Sequence, residues 1–380
     1  MNEELIIEKF GPIEKITINL KRVNVIIGNQ STGKSTIAKL IKIFKSLDFL
    51  TCKNTSERLK LFENFGLQYH FLDDTFLSYK ALDYQIIFRS SKFTIKLSAR
   101  LKPLINTHKS LTDLLGKNPE RLSDLFSQRS EVSNLINRIK KDAIYFPTER
   151  MLVSSFPSIA SLKGERSFLL PEYLINFRVE FENCRNQNTS LKIDFLDIEF
   201  KYNKTLKSDF IEIGNKQIPL QQAASGLQSL IPLYVVLEKS SASDALEGIF
   251  LIEEPETNLF PVTQFELIKY ITSKCLKFND SFLLTTHSPY ILTSLNNLMY
   301  AYNVGQNSKK KVSKIVEEKY WINPKDVSAY LLKYDEEKGG IIEESILDSE
   351  GLIQVQKIDS ISGVLNAEFD KLMNVELNLT

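Results

Sequence analysis

The residues Gly28-Asn29-Gln30-Ser31-Thr32-Gly33-Lys34-Ser35 fit the pattern GxxxxGK[ST]. An apolar run from Val23 to Ile27 precedes them, and Thr36 to Phe44 follows with helical spacing. In that strand, loop and helix context the backbone N–H groups from Asn29 through Thr36 can converge on phosphate, with Gly28 and Gly33 allowing close approach. Lys34 is expected to reach the β- and γ-phosphates and Ser35 to ligate Mg²⁺. The chemistry offered is the binding of ATP with its metal.

Two further apolar runs end in polar residues. Ile249 to Ile252 leads into Glu253-Glu254-Pro255-Glu256, and Phe282 to Leu284 leads through Thr285 and Thr286 to His287. Ligands of a parallel α/β sheet sit beyond the carboxyl ends of its strands, so these groups are expected to face the phosphate loop. Glu253 is the expected Mg²⁺ partner, Glu254 the residue that orients an attacking water, and His287 an imidazole near the γ-phosphate. Ser225-Gly226-Leu227-Gln228 opens another helical run with capping-box spacing, and a helix start of this kind is an anion site. One nucleotide needs one such set on its P-loop side, so Ser225, Gly226 and Gln228 are expected to serve a nucleotide held by another copy. Pro232, inside the same helix, is expected to bend it.

The elements that must position these groups follow from patterning. Strands are expected at Leu5 to Phe10 and Val23 to Ile27, then in YQIIF and KFTIKL, with helical spacing from 100 to 141. Ala143 to Phe146 reads as a strand, as do stretches in LKIDFLDIEFKY, DFIEI and KQIPL. Helices are expected from Ser225, from Pro261 and after Pro289, and NSKKKVSK reads as a basic turn. The expected fold is α/β: a P-loop NTPase head with a mixed or parallel central sheet, an antiparallel β lobe and a helical insertion. Its head is expected to span 1–300, with the β lobe and helical insertion at 48–142, a second insertion at 151–190 and a C-terminal extension at 301–380. Heptads do not persist, so no coiled-coil arm is expected.

Composition narrows the class. Forty-three percent hydrophobic and 25% charged residues over 380 positions describe a globular chain rather than a disordered or fibrous one. Lysine and arginine total 48 against 47 acids, so any nucleic-acid contact must come from a local patch such as 138–141 or Lys309 to Lys311. Three cysteines and three histidines, all far apart, argue for a reduced, cytoplasmic protein without a zinc centre. The opening MNEELIIEKF has no basic-then-apolar order, and no apolar run reaches the roughly 20 residues of a membrane helix, so neither secretion nor a membrane partner is expected.

The ordered set of P-loop, SGxQ helix start, IFLIEEPE and TTHSP resembles the ATP-binding-cassette ATPase head of the RecF, SMC and OLD-like branch, over about 1–47 and 143–300. The resemblance implies Walker A roles for Lys34 and Ser35, a signature role for Ser225, Gly226 and Gln228, and Walker B and catalytic-acid roles for Glu253 and Glu254. It makes His287 the switch histidine. Tyr145-Phe146-Pro147-Thr148-Glu149-Arg150 is similar to a Y-I-P-A-E-R stretch of standalone bacterial members, with no role attached to Arg150. Glu253 stands where Asp is more usual, Phe260 where His is frequent, and Gln68 is the only candidate for a Q-loop glutamine. No Toprim pattern follows His287, and the ExK at Glu317 to Lys319 is isolated. The implied protein is an ATPase that dimerises or forms a higher homo-oligomer around ATP and controls a separate effector such as a nuclease, as in Septu-type and PARIS-type anti-phage systems. A RecF-like DNA clamp and a transporter subunit are the alternatives.

Overall fold

The computed structural model describes residues 3–115, 122–140, 142–155, 170–187, 189–240, 248–277, 280–355 and 367–373. Residues 156–169 of the expected second insertion lie outside them, as does part of the basic stretch 138–141.

Three early strands, β1 (Glu3–Phe10), β2 (Ile13–Leu20) and β3 (Val23–Gly28), lead into helix α1 (Lys34–Lys45). Short helices α2 (Leu47–Thr51) and α3 (Thr55–Glu63) precede β4 (Phe71–Lys80), β5 (Tyr84–Arg89) and β6 (Lys92–Leu97). Helices α4 (Leu101–Leu115) and α5 (Leu122–Lys140) pack on each other, and β7 (Ala143–Phe146), α6 (Met151–Ser155) and α7 (Glu172–Gln187) follow. Strands β8 (Ser190–Ile193), β9 (Ile198–Asn203), β10 (Ser208–Ile213) and β11 (Lys216–Pro219) form a small antiparallel sheet. The chain continues through α8 (Ser225–Ser240), β12 (Ile249–Glu253), α9 (Pro261–Lys277), β13 (Ser281–Thr286) and α10 (Pro289–Val312) to β14 (Val327–Asp335) and β15 (Gly340–Ser345).

Among the described residues, eleven strands share one sheet in the order β6-β5-β4-β1-β2-β15-β14-β3-β13-β12-β7. Its parallel part, β14-β3-β13-β12-β7, is apolar because both faces are covered: β3, β12 and β13 are buried at every residue. Register brings the functional segments level, with Glu253 opposite Thr285, Thr286 opposite Ile27 and Leu332 opposite Gly28. Asn24, buried in β3, is satisfied from both sides: its Nδ2 donates to Phe282 O (3.0 Å) and its Oδ1 accepts from Ser328 Oγ (2.8 Å). The small sheet is held by α7 through Phe181 against Phe200 and an ion pair from Arg185 to Asp209.

Several expectations are corrected. The segment 301–380 is not an extension: β14 and β15 stand in the middle of the main sheet, and the boundary at 300 falls inside α10. The antiparallel strands of 48–142 continue that sheet through β4 rather than forming a lobe of their own. β2 was absent from the expected strands although IEKITINL buries Ile16, Ile18 and Leu20 in alternation. The basic turn is helical, since Lys309 to Lys311 occupy the last turn of α10 after an irregular Ser308. No helix among the described residues is long and apolar enough to cross a membrane.

A chain ending at Val312 would lose β14 and β15, the two strands between β3 and β2, and expose the apolar edge of β3. A gap in the middle of the main sheet puts at risk the whole of the roughly 5–15 kcal/mol by which a domain is stable. We expect no cooperative thermal transition in circular dichroism for this truncation; a transition near that of the full chain would restore the extension model.

Candidate nucleotide-binding site

The loop before α1 turns through two left-handed residues, Ser31 (φ 62°) and Gly33 (φ 87°), the second at a glycine, which adopts that conformation without steric cost. Gly28 has a second reason to be glycine: a Cβ there would stand 2.6 Å from Leu332 O of β14 and 2.8 Å from Thr32 Oγ1. Thr32 closes the loop by donating to Asn29 O (2.8 Å). Asn29, Gln30 and Ser31 are exposed, while Thr32, Lys34 and Thr36 are buried. Lys34 Nζ donates to Gly28 O and Asn29 O, each at 2.8 Å. Burial lowers its pKa, against the upward pull of Glu254, Glu256 and Glu253.

Glu253, at the end of β12, is 2% exposed. Three hydroxyls from three parts of the chain satisfy its carboxylate: Tyr145 donates to Oε1 (2.8 Å), while Ser35 (3.0 Å) and Thr148 (3.1 Å) donate to Oε2. Burial pushes this carboxyl up, opposed by Lys39 and by those hydroxyls. Ser35 and Glu253 thus present two hard oxygens side by side, the donor type Mg²⁺ takes. Among the described residues no three His, Cys, Asp or Glu side chains form a metal cage, so a metal held here would complete its shell with phosphate and water oxygens.

Glu254 lies past the strand end at φ 42°, a conformation costing a non-glycine residue about 1 kcal/mol. Its amide donates to Thr285 O (2.8 Å), and its Oε1 stands 3.1 Å from His287 Nε2. Glu256 ties the two strand ends together, its Oε1 accepting from Thr286 Oγ1 and from His287 N, both at 2.7 Å. Ser288 then caps α10 through Tyr290 N (3.2 Å), which fixes where His287 leaves the sheet.

This arrangement brings together Lys34, Ser35, Glu253, Glu254 and His287 from segments that the sequence order separates. The family model "AAA ATPase domain" (AAA_15) matches residues 1–160 and 165–292. The chain belongs to this family. Its ATPase head is also similar to the SMC head domain from Thermotoga maritima, at 10% identity and a TM-score of 0.42, covering 92% of this chain and 100% of that one. A second similar structure is the Smc head domain with an extended coiled coil bound to the C-terminal domain of ScpA from Pyrococcus furiosus, at 8% identity and a TM-score of 0.40, covering 95% and 98% of the two chains. No curated protein matches the chain.

Other expected residues of this AAA ATPase-domain protein stand apart. Helix α8 begins at Ser225 itself, so the expected capping box does not form: Ser225 is exposed, and Gln228 Nε2 donates backward to Ala223 O (2.8 Å) and Gln221 O (3.1 Å). Gly226 is required locally, because a Cβ would stand 2.7 Å from Asn258 O. Pro232 lies within a helix assigned without interruption from 225 to 240. Gln68 is exposed in a single 3-10 turn, Gln68–His70, and Phe260 is 75% exposed. In the ExK stretch Glu318 pairs with Lys309 and Lys319 with Glu317 at the surface.

Sequence reasoning missed Tyr145 and Thr148 as partners of Glu253, and Glu256 as the tie to His287. The first two lie in the YFPTER string, where the family likeness was the available signal. We expect Tyr145→Phe, which keeps the ring and removes one donor to a buried carboxylate, to destabilise the chain by roughly 1.5–3 kcal/mol. Urea unfolding checks this; a change within a few tenths would mean the bond contributes nothing net.

Proposed function

We propose that this chain binds Mg-ATP at the P-loop and hydrolyses it, with two copies closing head to tail so that each P-loop faces the other copy's Ser225 helix start. The observation that carries the reading is the meeting of Glu254 and His287 at 3.1 Å beyond the carboxyl ends of β12 and β13, beside the end of β3 that leads to Lys34 and Ser35. In this reading Ser35 and Glu253 hold Mg²⁺, which neutralises phosphate charge when bound. Glu254 would orient and deprotonate the attacking water, and His287, 3.1 Å from that carboxylate, would stabilise charge on the γ-phosphate. Lys34 exchanges the carbonyls of Gly28 and Asn29 for phosphate oxygens, bringing a buried cation to the charge that develops in the transition state. Gly226 and the exposed Ser225 supply helix-start donors across the interface, while Gln228 shapes the turn before them.

The ATP state is passed to a separate effector protein in the cytoplasm, in keeping with the likeness to standalone ATPases of anti-phage systems, whose effectors are nucleases. The near balance of 48 basic and 47 acidic residues gives DNA no broad electrostatic hold and favours a protein partner over a DNA clamp.

Glu254→Gln is expected to bind ATP, to elute as a dimer in its presence and to hydrolyse it roughly 100-fold or more slowly than the parent. Lys34→Ala is expected to bind no ATP and to remain a monomer. Size exclusion with ATP, alongside phosphate release, decides. Monomeric Glu254→Gln with bound ATP would sink the head-to-tail model, and tight ATP-dependent binding of duplex DNA by the parent would favour the clamp.

A further inference from the structure

Arg150 is 1% exposed, and its hydrogen bonds run to main-chain carbonyls. Nε donates to Ser229 O (3.2 Å), Nη1 to Pro147 O (3.2 Å) and Glu253 O (2.7 Å), and Nη2 to Glu254 O (2.8 Å). Burial lowers its pKa to about 10, with Glu256, Glu254 and Glu253 holding it up, so it stays charged at neutral pH. Two of the gripped carbonyls belong to the turn that sets Glu254 in its left-handed conformation. The Glu254 carbonyl is further held by Thr257, through its amide (3.0 Å) and its hydroxyl (2.8 Å).

The remaining long-range bond reaches helix α8. Pro232 has no N–H to give the carbonyl four residues earlier, that of Gln228, and Ser154 Oγ of α6 supplies the donor instead at 2.8 Å. One residue further on, Ser229 O takes Arg150. At the helix start, Gly226 lies against Asn258 O, at the end of the turn that carries Glu254. Two links thus join the first turns of α8 to the Glu253–Asn258 segment: the close approach of Gly226 to Asn258 O and the side chain of Arg150, which hydrogen-bonds to both backbones, while Ser154 ties α8 to α6.

We propose that Arg150 is a positioning residue that couples the α8 helix start to Glu254. A guanidinium is a rigid planar fork, so a displacement of Ser229 O turns the same plane that holds Glu253 O and Glu254 O. Engagement of Ser225 and Gly226 by the nucleotide of a second copy moves α8, and Arg150 carries the movement to the carboxylate serving the chain's own nucleotide. This rests on the head-to-tail reading above and adds that hydrolysis at one site depends on occupancy of the other.

Amide hydrogen exchange of the full chain with Mg and the ATP analogue AMP-PNP tests it. In the parent, the P-loop (28–36), the α8 start (225–231) and the catalytic turn (252–258) should all gain protection. In Ser225→Arg, which blocks the second copy, the P-loop should stay protected while the turn no longer responds. Equal protection of the turn in Ser225→Arg would overturn the coupling, because the chain's own nucleotide would then set it. Arg150→Lys should keep the affinity for AMP-PNP within about twofold but lose roughly tenfold or more in kcat, with the α8 start protected and the turn not. Unchanged kcat with both segments protected would also overturn it. If Arg150→Lys fails to fold, the Ser225→Arg comparison decides alone. Absence of P-loop protection in the parent would instead mark failure of the nucleotide reading itself.

Discussion

A carboxylate at the end of a core strand, 2% exposed, is the constraint on which the site depends. Burying Glu253 is costly unless each oxygen receives donors, and the donors are hydroxyls from the α1 helix start, from β7 and from the turn after β7. Meeting that requirement fixes β7 beside β12 and holds the beginning of α1 at the end of β12. A glutamate is one methylene longer than the aspartate usual at this position, and Tyr145 and Thr148 together hold the longer side chain in place.

From that point the neighbouring strand ends follow. The turn after β12 places Glu254 toward His287, and Glu256 reaches across to the end of β13. β14 presses on the P-loop from the other side, closely enough that Gly28 admits no side chain. β14, about 300 residues later in the sequence, therefore shapes the P-loop, a dependence carried by strand packing and not by any group that touches phosphate.

Most of the site was legible because the P-loop, the acidic strand end and the histidine strand end each carry a local pattern: an apolar run of strand length, then polar residues that such a run does not otherwise need. Elements went unread where local pattern did not specify a neighbour. In β14 the exposure of Lys333 and Tyr334 beside buried Val327, Ala329 and Leu332 gives no sign that the strand lies between β3 and β15. The expected capping box failed for the complementary reason. Its spacing was present, but α8 began one residue too early for Ser225 to cap, and Gln228 found nearer carbonyls.

The sequence by itself determined the chemistry on offer: a phosphate loop with its lysine and serine, paired acids, a lone histidine and a second helix start, in the order of an ATPase head. Those assignments follow from residue type and short spacing, which fix local conformation. Tertiary structure alone decided that Tyr145, Thr148 and Arg150 surround Glu253 and that β14 braces Gly28. Hydrogen bonds across 103 to 108 residues and strand pairing across about 300 depend on which surfaces the whole chain buries together, and no local window contains that information.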